Sequence, residues 1–287
     1  MKRREFIKFT AVTANTLALS PLTRIFAGET KRKYASDAVT LGKTGIQVSR
    51  LAMGTGTSGV NRRSNQTERL GVRGLADLLH AAYDQGVKFW DSADQYGTHP
   101  HLKEGLKTIS REKVVILTKT HASTAAEMKA DLDRFRREIG TDYLDIVLLH
   151  FMTDPQWPAK KQGAMEVLAK AREQGVVRAH GVSCHTLGAL EAAANSDWVQ
   201  VDLARINPAG AQMDAEVKTV VKVLQKMHRD GKGVIGMKIF GGGQLRHRVD
   251  ECLQYVLGLD FVDAFTIGQE TQREMQDLLK RIPAATI

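Results

Sequence analysis

The sequence predicts an α/β protein of the (β/α)8, or TIM-barrel, class on three observations: eight short β-rich runs, a helix-like segment after each, and about 240 residues to hold them. A doubly wound sheet would normally use only five or six strands. Ahead of the barrel, residues 39–49 (VTLGKTGIQVS) set Gly42-Lys43-Thr44-Gly45 between two short apolar runs. That is a hairpin signal, expected to cap the barrel's lower end. Barrel strands are expected at 49–54, 88–93, 114–119, 145–150, 178–184, 199–206, 234–240 and 263–268. Apolar residues at i, i+3, i+4 spacing mark helices at 74–85, 124–139, 163–174 and 214–230. Gly86, Gly140, Gly175 and Gly231 stand just beyond these helices, where a left-handed C-cap is wanted.

The chain has 287 residues, 43% hydrophobic and 25% charged, the composition of a protein that buries a full core. Its net charge is +9, but residues 1–30 hold five basic and two acidic residues, leaving about +6 for the rest, a mild excess that favours anionic ligands such as nucleotide phosphates. No like-charge run or basic-aromatic interleaving points to nucleic acid. Cys184 and Cys252 offer no disulfide framework, only one bridge or two separate core thiols.

Arg3, Arg4, Phe6, Ile7 and Lys8 precede a weakly apolar stretch and the small residues Ala27 and Gly28, the order of a signal peptide. The segment resembles the twin-arginine (Tat) consensus. That resemblance implies a signal over 1–30, the Tat export machinery as a partner, folding in the cytoplasm first and a periplasmic mature protein. Residues 31–38 then read as a linker and 39–287 as the barrel domain. No segment reaches the 18 or so apolar residues of a spanning helix, so no stable membrane span is expected.

In such barrels chemistry sits at the C-terminal strand ends. Those ends carry Asp91 with Tyr96, then Lys119 and His121, His150, and finally Ser183, Cys184 and His185. A phenol with a pKa near 10 is a poor acid or base at neutral pH. A neighbouring ammonium stabilises the phenolate, and a carboxylate paired to that ammonium holds it charged and in place. The set suits proton delivery to a carbonyl oxygen, or the reverse.

WDSADQYG (90–97), with aspartate five residues ahead of tyrosine, resembles the signature of the aldo-keto reductases. LGKTGIQVSRLAMGTG (41–56), ILTKT (116–120) and VLLH (147–150) are similar to that family's opening hairpin with its first strand, its lysine strand and its histidine strand. The resemblance implies hydride transfer between NADP(H), with NAD(H) the alternative, and a small carbonyl or alcohol. It implies Tyr96 as general acid/base, Lys119 lowering its pKa, Asp91 paired with Lys119, and His150 holding the substrate carbonyl.

The implied cofactor residues are Gly54 and Thr55 after the first strand, Ser183, then Lys238, Phe240, Gly241 and Gly242 around a pyrophosphate, and Gly268 with Arg273 at an adenosine 2′-phosphate. Departures occur at Cys184, where asparagine is usual, at Leu203 for glutamine, and at Met237 for a stacking aromatic. Ile267 and Gly268 replace a common lysine and serine. From the resemblance, the long C-terminal loop of many members is expected to have no counterpart here, which leaves the substrate open.

Rival readings are a Rossmann fold, a short-chain dehydrogenase, a metal-dependent barrel hydrolase and a non-catalytic nicotinamide-binding sensor or partner protein on the same fold. Gly54 to Gly59 satisfies G-x-G-x-x-G, but NRRSNQTE follows it and Asp91 lies too far on for a ribose contact. No tyrosine has a lysine four residues later, as a short-chain dehydrogenase requires. The hydrolase would draw on His99, His101, His121, His150 and His185, a set that needs no phenol-lysine pair. No metal ligand set is assigned. The altered nicotinamide pocket motivates the sensor.

Overall fold

The computed structural model describes residues 32–285; residues 1–30, read from sequence as a signal with Arg3 and Arg4, lie outside them. Strands β1 (Ala38–Thr40) and β2 (Gln47–Ser49) pair antiparallel as the expected hairpin. Eight parallel strands follow: β3 (Leu51–Gly54), β4 (Phe89–Asp91), β5 (Val115–Thr120), β6 (Leu144–Met152), β7 (Val177–Cys184), β8 (Val201–Arg205), β9 (Gly233–Met237) and β10 (Ala264–Gly268). They pair in sequence order, and β10 pairs with both β9 and β3 to close the barrel.

Around them run α1 (Asn65–Asp84), α2 (His99–Gly105), α3 (Ala125–Ile139), α4 (Trp157–Lys160), α5 (Gln162–Glu173), α6 (Leu187–Asn195), α7 (Val217–Arg229), α8 (Val249–Gly258) and α9 (Gln272–Ala285). Gly140 caps α3 at φ 77°, and Gly86, Gly175 and Gly231 are also left-handed. Helix α1 begins nine residues before the expected 74, because Ser64 and Thr67 form a reciprocal capping box. Gly71, at φ 61° and ψ −173°, breaks that helix and hides its early turns from a periodicity search.

The period-2 alternation of a strand sorts the two cores. Phe89, Leu117, Ile146, Leu148 and Leu203 fill the barrel, whereas Trp90, Ile116, Val147 and Val182 face the helices. Leu41, Ile46 and Val48 of the hairpin join the inner cluster and plug its N-terminal end. Burial of each such aliphatic side chain is worth roughly 1.5–3 kcal/mol. At the turn, Lys43 N–H donates to Gly231 O at 2.8 Å, and Gly42 has no room for a Cβ against the backbone of residues 231–233. The preceding segment read as linker is docked here: Ala35 is buried, and its carbonyl accepts from Leu51 N–H at 3.0 Å. Cys184 and Cys252 are both buried and unbridged.

Candidate active site

The alternation that packs the barrel also aims the site. Asp91 shares the inward parity of Phe89, Lys119 that of Leu117, and His150 that of Ile146 and Leu148. All three therefore point into the mouth at the C-terminal strand ends. Tyr96 joins them from a 3-10 turn, Asp94–Tyr96, that follows β4 and ends at left-handed Gly97, φ 67°.

Lys119 is completely buried. Its Nζ donates to Asp91 Oδ1 and, at 2.7 Å, to Ser92 O. Asp91 Oδ2 accepts from Thr266 Oγ1 at 2.9 Å, so both carboxylate oxygens are engaged. The ammonium lies 4.8 Å from the centroid of the Tyr96 ring. The His150 ring meets that ring edge-on, with centroids 5.7 Å apart, and His121 lies 4.8 Å from His150.

Burial pushes the Tyr96 phenol above its ordinary value; the Lys119 charge draws it back down and Asp91 opposes that pull. The lysine thus acts in the expected direction, but burial outweighs it and the net shift is upward. Burial disfavours the Lys119 ammonium, yet the attraction of Asp91 and Tyr96 more than restores it, so it stays charged. Burial, with the Lys119 charge second, holds His150 well below the usual imidazole range, leaving the ring neutral near pH 7. Its buried Nδ1 has no hydrogen-bond partner among the described residues.

Ser183 Oγ accepts from Phe151 N–H at 3.0 Å, which leaves the hydroxyl proton available for a ligand. Phe151 is left-handed at φ 64°, at an irregularity in the β6–β7 register, and its exposed ring meets that of His185 at a 35° tilt with centroids 4.1 Å apart. Gly54 sits under β10, and Thr55 Oγ1 is buried against Asp91 O (2.9 Å) and Thr98 Oγ1 (3.0 Å). After β9, Lys238 is left-handed (φ 56°), and Gly241, Gly242 and Gly243 (φ 56°, 63° and 95°) form a left-handed run, with Phe240 half-buried against the helix layer. Gly268 is exposed at the end of β10, and Arg273 is exposed at the start of α9 with no ion pair among the described residues.

Several residues were not singled out by sequence. Thr266, Ser92 and Gln95 hold Asp91, Lys119 and His121 respectively. Asp202, outward on β8 beside Cys184, is pushed up to about 8 by burial and by Asp214. Cys184 is fully buried, and burial with Asp202 beside it raises its thiol well above the usual range. Asp94, His99 and Glu138 bring ligand atoms within 4.8 Å of one another. Those carboxylates are bound by Arg62 and Arg134, and both nitrogens of His99 are taken, by Glu138 and Thr118. The cluster is an ion-pair network that ties α3 to the Tyr96 turn.

Residues 50–279 match the family model described as "Aldo/keto reductase family". The chain belongs to the aldo/keto reductase family. Among curated relatives, a D-threo-aldose 1-dehydrogenase of a Pseudomonas species is 24% identical over 201 residues, covering 58% of this chain and 60% of that one. A D-galacturonate reductase of Hypocrea jecorina is 34% identical over 71 residues, 23% of each chain. The chain thus spans 60% and 23% of the lengths of these relatives. Among solved structures, an aldo-keto reductase of Bacillus halodurans in its holo form superposes with a TM-score of 0.69 at 15% identity, over 88% of this chain and 91% of that one. One described as an aldo-keto reductase from Pseudomonas aeruginosa gives 0.73 at 21% identity, over 91% and 99%. These superpositions establish the aldo/keto reductase fold of this chain, an eight-stranded parallel barrel ringed by helices.

Proposed function

We propose that the protein is an NADP(H)-dependent oxidoreductase that interconverts a small carbonyl compound and its alcohol, with Tyr96 as the general acid/base. One observation carries this reading: a fully buried lysine, locked by Asp91 and Ser92 O, stands 4.8 Å from a phenol ring that a neutral imidazole meets edge-on.

The residues after β9 and β10 fit a nicotinamide dinucleotide. The left-handed glycines make a tight turn in which Gly241 N–H donates to Lys238 O at 2.7 Å and Gly243 N–H to Phe240 O at 2.9 Å, while a Cβ on Gly243 would meet nothing within 4 Å, so an anion can approach the turn there. Lys238 and Arg273 are exposed and make no ion pair among the described residues, as a phosphate site requires. Lys238 with Phe240 to Gly242 would flank the pyrophosphate, Arg273 with Gly268 the 2′-phosphate, and Ser183 the nicotinamide end; Gly54 and Thr55 are buried, with Thr55 N–H and Oγ1 engaged by Asp91 O and Thr98, and shape the mouth without reaching the dinucleotide. When bound, the dinucleotide supplies or accepts the hydride at the substrate carbon.

The chain does the rest. His150, neutral, donates a hydrogen bond to the carbonyl oxygen and orients it. Tyr96 transfers its phenolic proton to that oxygen as the carbon is reduced, and the charge left on the phenolate is met by the Lys119 ammonium. Asp91, fixed by Thr266, keeps that ammonium charged and aimed. In alcohol oxidation Tyr96 takes the proton back.

The test is Tyr96→Phe, which keeps the ring and removes the proton. We expect kcat for aldehyde reduction to fall by about 10² or more, with NADPH affinity unchanged. Aldehydes of small sugars belong in the panel, since two relatives are named for such compounds. Reduction at the original rate by the phenylalanine variant would sink the proposal. Export is part of the same reading: Arg3-Arg4-Glu5-Phe6-Ile7-Lys8 supports Tat-dependent delivery of the folded enzyme to the periplasm.

A further inference from the structure

The Gly54-Thr55-Gly56-Thr57-Ser58-Gly59 motif has the spacing of a phosphate loop, but two of its glycines face the phenol instead. A Cβ on Gly56 would overlap the Cδ2–Cε2 edge of Tyr96, and one on Gly59 would overlap Cδ1 and lie 2.7 Å from Cε1. Neither glycine has a positive φ, so the backbone alone would accept alanine at both positions. What excludes a side chain is the tyrosine ring, gripped along both edges.

The loop that carries these glycines is tied down at both ends. Buried Gln66 accepts from Thr57 N–H at 3.0 Å through Oε1 and donates to Thr57 Oγ1 at 2.8 Å through Nε2. Gln95, the residue before the tyrosine, donates to Gly59 O at 2.9 Å, and its own carbonyl accepts from Arg62 N–H at 2.8 Å. The Arg62 guanidinium reaches Asp94 at 2.9 Å and Glu138 at 3.0 Å. Ser58, Asn61 and Arg62 all hold left-handed backbone, at φ 54°, 52° and 61°, which persists only where the surroundings over-determine it.

We infer that Gly56 and Gly59 are positioning residues for the reaction, forming a slot that fixes the Tyr96 hydroxyl between the Lys119 ammonium and the substrate oxygen. The inference rests on the reading of Tyr96 as the proton donor. A methyl group in the slot moves the ring, which is the part free to give, and a displacement near 1 Å at a reacting atom costs about 10²-fold.

The experiment compares Gly56→Ala, Gly59→Ala and Gly258→Ala, each alone and in the Tyr96→Phe background, for kcat, KM, NADPH affinity and melting temperature. A Cβ on Gly258 meets nothing within 4 Å, so that variant controls for loss of a glycine as such. We expect about ten- to hundred-fold lower kcat for the two slot variants, NADPH affinity within about twofold, and an upward-shifted pH limb as the phenol moves off Lys119. In the Tyr96→Phe background the same alanines should cause no further loss. Wild-type kcat in both slot variants overturns the inference, as does a loss carried by NADPH affinity or one undiminished in the Tyr96→Phe background. Should neither slot variant fold, Gln95→Leu, which cuts the strap to Gly59 O without filling the slot, decides: wild-type kcat there overturns it. Full activity of Tyr96→Phe by itself removes the underlying reading and this inference with it; an impaired Tyr96→Phe beside unimpaired slot variants removes this inference alone.

Discussion

Lys119→Met separates what the ammonium does for the fold from what it does for the phenol. Methionine preserves most of the buried volume and deletes the charge. At the observed 4.8 Å from the ring centroid, and an effective dielectric of about 20, a unit charge on the phenolate is stabilised by about 3 kcal/mol. That stabilisation exists only as the phenol ionises, so it enters the rate: on the order of 10²-fold at 1.36 kcal/mol per decade. The sign of the pH effect follows as well. With Lys119 gone, burial and the now uncompensated Asp91 both push Tyr96 further up, so the limb of alcohol oxidation must move to higher pH. Stability falls too, since removing one partner of a buried pair costs about 3–5 kcal/mol, and each kcal/mol lowers the melting temperature of a domain this size by about 2–4 °C. The double variant Asp91→Asn/Lys119→Met should recover melting temperature without recovering rate. Steady-state kinetics against pH and a thermal melt measure both. A Lys119→Met enzyme within twofold of the original rate, its pH limb unmoved, would refute the electrostatic account.

Arg273→Ala should weaken NADPH binding about tenfold or more, the loss of a charge-assisted contact, while sparing NADH; equal losses would remove Arg273 from the 2′-phosphate. Asp202, raised to about 8 in the folded protein, binds a proton that the unfolded chain releases near its ordinary value. Its contribution to stability is therefore full in acid and lost as pH rises through about 8. Asp202→Asn should flatten the decline of melting temperature between about pH 4 and 8, and an unaltered slope would mean the carboxylate is ionised in the fold. Arg3→Lys with Arg4→Lys should leave the protein in the cytoplasmic fraction, whereas mature protein reaching the periplasm at the original level would end the export proposal.

The barrel was legible because strands buried on the inside and covered by helices outside give short β-rich runs, each followed by a helical period. Asp91, Lys119 and His150 could be placed because they stand at the C-terminal ends of those strands, where such barrels gather their chemistry. What sequence missed depended on partners remote in the chain. Nothing local distinguishes Thr266 from any other strand threonine, yet it bonds Asp91 175 positions away. Asp202 lies in a run read correctly as strand, but the burial that raises it, with Asp214 beside it, is a property of the layer packed over it. The upward shift of Tyr96 likewise reflects burial, which spacing to a lysine does not report. The early start of α1 escaped because Gly71 interrupts the period.

The Thr266–Asp91 bond also sets an order of events. The four residues proposed for catalysis all lie on the first four barrel strands or the turn after β4, and a nascent chain holding β3 to β6 already contains every one of them. The hydroxyl that fixes the second carboxylate oxygen arrives with β10, the last strand, which pairs with β3 and closes the ring. Until then Asp91 has only its Lys119 partner, and one of its two carboxylate oxygens is unheld. Barrel closure thus has a local consequence at the proposed site: the last strand, by pairing with β3, also supplies the hydroxyl that completes the hold on Asp91.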